Sequence, residues 1–170
     1  MGSSSVYYVG CGVCCLAMYL LNKSGLTTSI VADKEAAVKA IVNSPFLTGA
    51  SMYQPPQSNT ISFTDSNGTK RTVTISFSKT TDVSAEVLNG KIGFLRTISS
   101  NGGSHFVLVD GIDSNSQPST SDPDNFKKHL VVDPADGTSK TLYDAIRYSL
   151  GSKMTPTLSN INPTWRCVFN

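Results

Sequence analysis

An α+β protein, with helices first and an antiparallel sheet after them, is the fold that the sequence predicts. Three observations carry that expectation. An almost unbroken apolar run, Val6 to Leu21, and a second helical pattern from about Asp33 to Asn43 fill the first quarter of the chain. From Thr60 onward the pattern changes to short alternating or apolar runs divided by turn residues. There is no internal repeat, no heptad and no Gly-rich phosphate loop to suggest another architecture.

Each element has a local reason. Residues 11–22 read as a buried helix, with Cys14, Cys15, Met18 and Leu21 at i, i+1, i+4 and i+7 and Leu16, Ala17 and Leu20 filling the other faces. Asn22-Lys23-Ser24-Gly25 supplies a basic last turn and a glycine stop. The second helix takes Asp33 as its N-cap and ends before Pro45. Residues 46–58, with Pro55-Pro56, are expected to be irregular. Thr60–Thr64 and Thr69–Phe77 form a hairpin across Asp65-Ser66-Asn67-Gly68. Thr81–Asn89 is a short helix closed by Gly90. Three apolar strands follow, Lys91–Ile98, His105–Asp110 and His129–Asp133, the first two joined at Asn101-Gly102-Gly103. The polar stretch 114–125 between the second and third reads as an inserted surface loop. Pro134-Ala135-Asp136-Gly137 is a turn, Leu142–Leu150 a helix, and Trp165–Phe169 a last strand.

Length and composition set the class. The 170 residues suit one domain, 1–170, with residues 1–5 as its edge or a flexible end. Fourteen Lys+Arg against twelve Asp+Glu leave a net charge of +2, and the densest basic spots are only Lys70-Arg71 and Lys127-Lys128. Nothing there neutralises a phosphate track, so nucleic acid is not the expected partner. With 24 Ser and 17 Thr, hydroxyls take over much of the surface from charge. That suits a secreted or cell-surface setting, although the compartment stays open. The apolar run Val6–Leu21 is shorter than the roughly 20 residues a membrane span needs. Without a basic residue before it or a small-x-small site after it, it reads as a buried helix in preference to a signal peptide.

The cysteines are lopsided. Cys11, Cys14 and Cys15 lie within five residues, and Cys167 sits near the end. Cys11-Gly12-Val13-Cys14 has the C-x-x-C spacing, but a zinc knuckle needs a second ligand pair, and only Cys167 and two scattered histidines, His105 and His129, remain. A redox pair needs a strand–helix–strand context that does not follow. Neither a metal nor a cofactor is expected.

Cys11 falls at the expected start of a helix, where free N–H groups and the dipole stabilise a thiolate. Gly10 and Gly12 beside it allow close approach of a substrate. A nucleophilic Cys needs a base, and that base needs an orienting group. His105 opens one strand and Asp133 ends the next; antiparallel pairing of the two brings the carboxylate to the imidazole. Cys11, His105 and Asp133 are therefore the candidate catalytic residues.

The same residues carry a resemblance. Gly10-Cys11-Gly12-Val13-Cys14-Cys15-Leu16-Ala17-Met18-Tyr19-Leu20 resembles the nucleophile helix of the papain-like, bacteriocin-processing peptidases of the C39-like family. His105-Phe106-Val107-Leu108-Val109-Asp110-Gly111 is similar to that family's histidine strand, and His129-Leu130-Val131-Val132-Asp133-Pro134-Ala135-Asp136-Gly137 to its D-P-A-x-G segment. Gly90–Leu95 matches loosely, and 23–89 and 138–170 only in general character. The resemblance implies a papain-like fold, with the nucleophile helix packed on a C-terminal antiparallel sheet. It also implies a cysteine peptidase acting on a peptide or protein through a Cys11 thioester, with His105 as base and acid and Asp133 as its orienter. The family's oxyanion-hole Gln would stand about six residues before the Cys, where this chain has Ser5, and the first Gln is Gln54. The backbone N–H of Cys11 is the remaining donor, with Tyr7 or Tyr8 as helpers, and the side-chain donor is unassigned. Two alternatives stay open: a peptide-binding relative without turnover, and a thiol amidase or acyltransferase on the same scaffold. The chain is also compatible with being one domain of a larger protein.

Overall fold

The computed structural model describes residues 3–49, 51–98, 104–112, 126–150 and 156–170, without side chains at 3–9 and 148–150. Two helices precede the described strands and two fall among them, and the fold is α+β, as the sequence predicts. The chain divides into two compact units, residues 1–76 and 77–170.

The first unit begins with α1 (Ser3–Lys23), which packs against α2 (Val31–Val42). Helix α1 starts eight residues before the expected Cys11, because the apolar run extends back through Val6 and helix propagation tolerates Gly10 and Gly12. Helix α2 starts at Val31, and its N-cap position is Ile30, with no side-chain cap. Asp33, expected as that cap, lies in the first turn instead and is buried, accepting the Ser66 N–H at 2.6 Å. That bond ties α2 to the turn of a hairpin 33 residues on. Between them, where the sequence reads as irregular, a miniature pair β1 (Leu47–Thr48) and β2 (Ser51–Met52) forms. The hairpin itself joins β3 (Gln57–Thr64) to β4 (Lys70–Lys79) at the predicted turn. Its outer face is a hydroxyl ladder, Thr60 with Thr74 and Ser62 with Thr72, each pair at 2.9 Å.

Strand β4 runs through the boundary, and its end pairs with β9 (Ile161–Phe169). The remaining elements are α3 (Val83–Leu88), β5 (Gly93–Ile98), β6 (Ser104–Ile112), β7 (His129–Asp133), β8 (Thr138–Thr141) and α4 (Leu142–Leu150). The seven-stranded order is β3-β4-β9-β5-β6-β7-β8, and from β4 to β8 each neighbouring pair is antiparallel. Strand β9 begins earlier than expected and sits centrally between β4 and β5. Its ladder to β5 shifts between Leu95 and Thr97, where Pro163 has no N–H to donate. The expected turn 101–103 and loop 114–125 lie outside the described residues.

Alternation along the strands divides the second unit's core in two. Leu95, Val107, Val109 and Val131 face α3 and α4 and pack on Val83, Leu142, Ala145 and Ile146. The other face is aromatic: Phe77, Phe94, Phe106, Trp165 and Phe169, with Phe94 stacked on Phe106 at 5.1 Å and on Phe169 at 5.6 Å. Strands β6 and β7 pair Leu108 with Val132 and Val109 with Val131, then slip by one residue, so that Gly111 faces Leu130. The extra residue, Asp110, is a β-bulge. Among the described residues no helix is long and apolar enough to cross a membrane.

Candidate active site

In the first unit, Cys11 lies in the interior of α1 and not at its start, so the expected help from the helix N-terminus is corrected. In an α-helix the N–H of residue 11 donates to the carbonyl four residues back. The Cys11 N–H, expected as an oxyanion donor, is therefore committed to the helix ladder. What the helix does provide is access. Cys11, Cys14 and Met18 are half-buried and Asn22 is exposed, at i, i+3, i+7 and i+11, while Val13, Cys15, Leu16, Ala17, Tyr19, Leu20 and Leu21 are buried. Cys14 and Met18, expected to line the core, belong to the outward stripe.

The four cysteines are thereby distinguished. None is in a disulfide. Cys15 and Cys167 are fully buried, and burial pushes the Cys167 thiol up to about 12. Burial also raises Cys14, with a further push from the neighbouring Cys11. Three of the four are thus poor nucleophiles, since the thiolate is the reacting form.

In the second unit, His105 and Asp133 meet as the strand pairing predicts. Continuing the β6–β7 register by one residue sets Asp133 opposite Val107, two positions from His105 and on the same face. The His105 Nε2 and Asp133 Oδ1 are 2.6 Å apart. The carboxylate is fully buried and the imidazole is 14% exposed, so the pair opens to solvent on the histidine side. Thr97 Oγ1 donates to the His105 carbonyl at 3.1 Å and fixes the strand end beneath the ring.

Asp133 is held from three sides. Oδ1 also accepts the Ala135 N–H at 2.9 Å, and the Asp133 carbonyl accepts the Gly137 N–H at 2.7 Å, closing the turn (Gly137 φ is +71°). The Lys140 ammonium lies 3.0 Å from Oδ2 as an ion pair outside strict hydrogen-bond geometry, and 2.7 Å from Asp136 Oδ2. Burial works to raise the Asp133 carboxyl, but the hydrogen bonds from His105 and Ala135 and the nearby Lys140 ammonium outweigh it and hold it below its ordinary value. It stays a carboxylate at neutral pH. Lys140 escaped the sequence reading because Thr138-Ser139-Lys140-Thr141 has no apolar alternation and β8 was not expected. The signal was the turn itself. Asp133 faces Thr138 across it, so Lys140 is the diagonal same-face neighbour.

The second histidine has a different place. His129 is buried and shares a 2.5 Å hydrogen bond with the buried Ser84 hydroxyl of α3. Among the described residues no three His, Cys, Asp or Glu side chains gather as a metal site. A groove of about 500 Å³ in the first unit, between α2 and β3, contains none of the predicted catalytic residues. The side chains of Tyr7 and Tyr8 lie outside the described residues.

The chain matches no protein-family model, and comparisons with curated proteins and with solved structures find no match.

Proposed function

We propose that this protein is a papain-like cysteine peptidase of the C39-like kind, with Cys11 as nucleophile, His105 as base and acid, and Asp133 as the group that orients it. The observation that carries the reading is the His105–Asp133 pair, a partly open imidazole backed by a buried carboxylate at 2.6 Å. With Nε2 bound to Asp133, the chemistry is assigned to Nδ1. The Cys11 thiolate attacks the peptide carbonyl carbon, forming a C–S bond as the carbonyl pair moves to oxygen. The imidazolium Nδ1–H protonates the leaving amine as the C–N bond breaks. Water then attacks the thioester, giving its proton to Nδ1 and releasing the carboxylic acid and the thiolate. The half-exposed position of Cys11 on α1 supports its choice over the other three cysteines. The papain-like arrangement, α1 against the sheet, belongs to this proposal.

One observation favours a second reading, a peptide-binding relative without turnover. The Cys11 N–H is taken up in α1, and Ser5 stands where the resemblance places a Gln. Loss of one oxyanion donor costs roughly 10²–10³ in rate.

Alkylation by iodoacetamide near neutral pH, followed by peptide mapping, tests the reading. Selective modification of Cys11 that is lost in His105→Ala, together with cleavage of a fluorogenic peptide library, is the expected result. Alkylation indifferent to the His105 change would overturn it. Activated Cys11 without any peptide cleavage favours the binding relative, and release of amide-linked cell-wall fragments alone favours the amidase.

A further inference from the structure

The described cluster contains a cation that the proposed reaction does not use. Lys140 Nζ sits between two carboxylates, 3.0 Å from Asp133 Oδ2 and 2.7 Å from Asp136 Oδ2, and its side chain is only 17% exposed. The other oxygen of Asp133 holds His105. One buried carboxylate is therefore shared between a permanent cation and an imidazole that gains and loses a proton. Asp136, half exposed in the turn, draws the ammonium from the other side. It also accepts the Thr138 N–H and hydroxyl at 3.0 and 2.7 Å, so its position is fixed.

We infer that Lys140 is a positioning residue that sets the proton affinity of His105 by sharing the Asp133 carboxylate, with Asp136 as the counterweight. This rests on the reading of His105 as the proton-transferring group. The physics is a competition of charges. An ammonium on Oδ2 cancels part of the negative field that stabilises the imidazolium, so His105 gives up its proton more readily than it would beside an unshared carboxylate. Asp136 holds the ammonium partly away from Asp133 and returns part of that field. The structure also gives Lys140 a steric duty, since a cation at Oδ2 keeps Oδ1 turned toward Nε2.

Charged groups on the neighbouring elements have partners of their own. From β5, Thr97 meets the His105 backbone, while Arg96 lies over the Phe106 ring on the opposite face. On α3, Asp82 caps Ala85 and Glu86 pairs with Lys91. On α4, Asp144 accepts the Thr141 hydroxyl and Arg147 lies over Tyr143.

The test is an NMR titration of the two imidazoles in the full chain, with the His105 signal assigned by its loss in His105→Gln. In Lys140→Gln the His105 midpoint moves to higher pH, and Lys140→Arg restores the wild-type midpoint. In Asp136→Asn it moves to lower pH, because the ammonium settles on Asp133. A purely structural lysine moves neither. Opposite shifts in the two variants support the inference, whereas an unchanged midpoint in both overturns it. If Lys140→Gln does not fold, the exposed Asp136→Asn decides alone by the sign of its shift. The shifts are read without any substrate. Their presence in a protein that cleaves no peptide defeats the peptidase and leaves the charge relay standing.

Discussion

Two hairpins in this molecule use one device, and only one of them lends it to a histidine. In the first unit Asp65 opens the turn between β3 and β4. Its Oδ1 accepts the N–H groups of Asn67 and Thr69 at 3.0 and 2.9 Å, and its Oδ2 takes Arg71 at 2.8 Å. In the second unit Asp133 precedes the turn between β7 and β8, accepts the Ala135 N–H, and meets Lys140 on the return strand. Both turns close on a glycine with positive φ, Gly68 at +78° and Gly137 at +71°. Both carboxyls sit below their ordinary value. For Asp65 the Thr69 N–H is the leading cause, followed by the opposing effect of burial. The difference is one bond. The carboxylate of Asp65 bonds Asn67, Thr69 and Arg71 of its own hairpin, whereas Asp133 gives half of one oxygen to a histidine 28 residues earlier in the chain. A turn that locks itself is a structural staple; the same turn with an oxygen lent to a neighbouring strand also holds an imidazole.

The sharpest contrast is in turnover. On the proposed peptidase reading, Asp133→Asn lowers peptide hydrolysis by about 10²–10⁴-fold, because the imidazole loses its orienting charge. Asp65→Asn leaves the rate per folded molecule unchanged. Initial rates on the cleaved library peptide, normalised by circular dichroism, check both.

Next comes acid stability, which the two hairpins share. A carboxyl with a lowered folded value contributes stability that is fully present above the ordinary carboxylate pKa of about 4 and is lost as pH falls through the lowered one. The melting temperature is therefore expected to hold from neutral pH down to about 4 and to fall below it. The fall is smaller in Asp65→Asn, which has one fewer proton to take up. Calorimetric scans between pH 6 and 2.5 read it, and an acid loss identical in the variant contradicts the assignment.

The smallest effect separates the two cations. Arg71 is about a third exposed, and exposed pairs contribute less than about 1 kcal/mol. Arg71→Gln lowers the melting temperature by about 2–4 °C or less and leaves the His105 titration in place. A His105 shift in that variant would mean that the hairpins are electrically coupled and the comparison fails.

How far the sequence alone reached follows from what holds each piece. The turn at Asp65–Gly68, helix α4 and the His105–Asp133 pairing were legible because each is set by nearby residues or by the period-two logic of adjacent strands. Strand β8 was not, since Thr138-Ser139-Lys140-Thr141 is polar throughout and is held in the sheet by pairing with β7. Lys140 was hidden with it. The start of α1 lies earlier than expected because a long apolar helix absorbs Gly10 and Gly12. Asp33 has the residue type and place of a cap, and its use was decided by Ser66, which local sequence does not reveal. The central place of β9 depends on pairing with β4 and β5, far away in the chain.

The bulge at Asp110 bears on how such a protein can diversify. Strands β6 and β7 are joined through the polar stretch beginning after Ile112, at the end of the ladder remote from His105 and Asp133. A residue gained or lost within the paired residues at that end is an error of phase, and an uninterrupted ladder would carry it through to the imidazole and carboxylate. The slip between Val109 and Gly111 is a place where phase is already reset. Beyond it Ile112 faces His129; before it Leu108 faces Val132. The ladder thus works as a coupling with play at one end and none at the other. The connector end of the ladder can be rewritten while the His105–Asp133 end keeps its register.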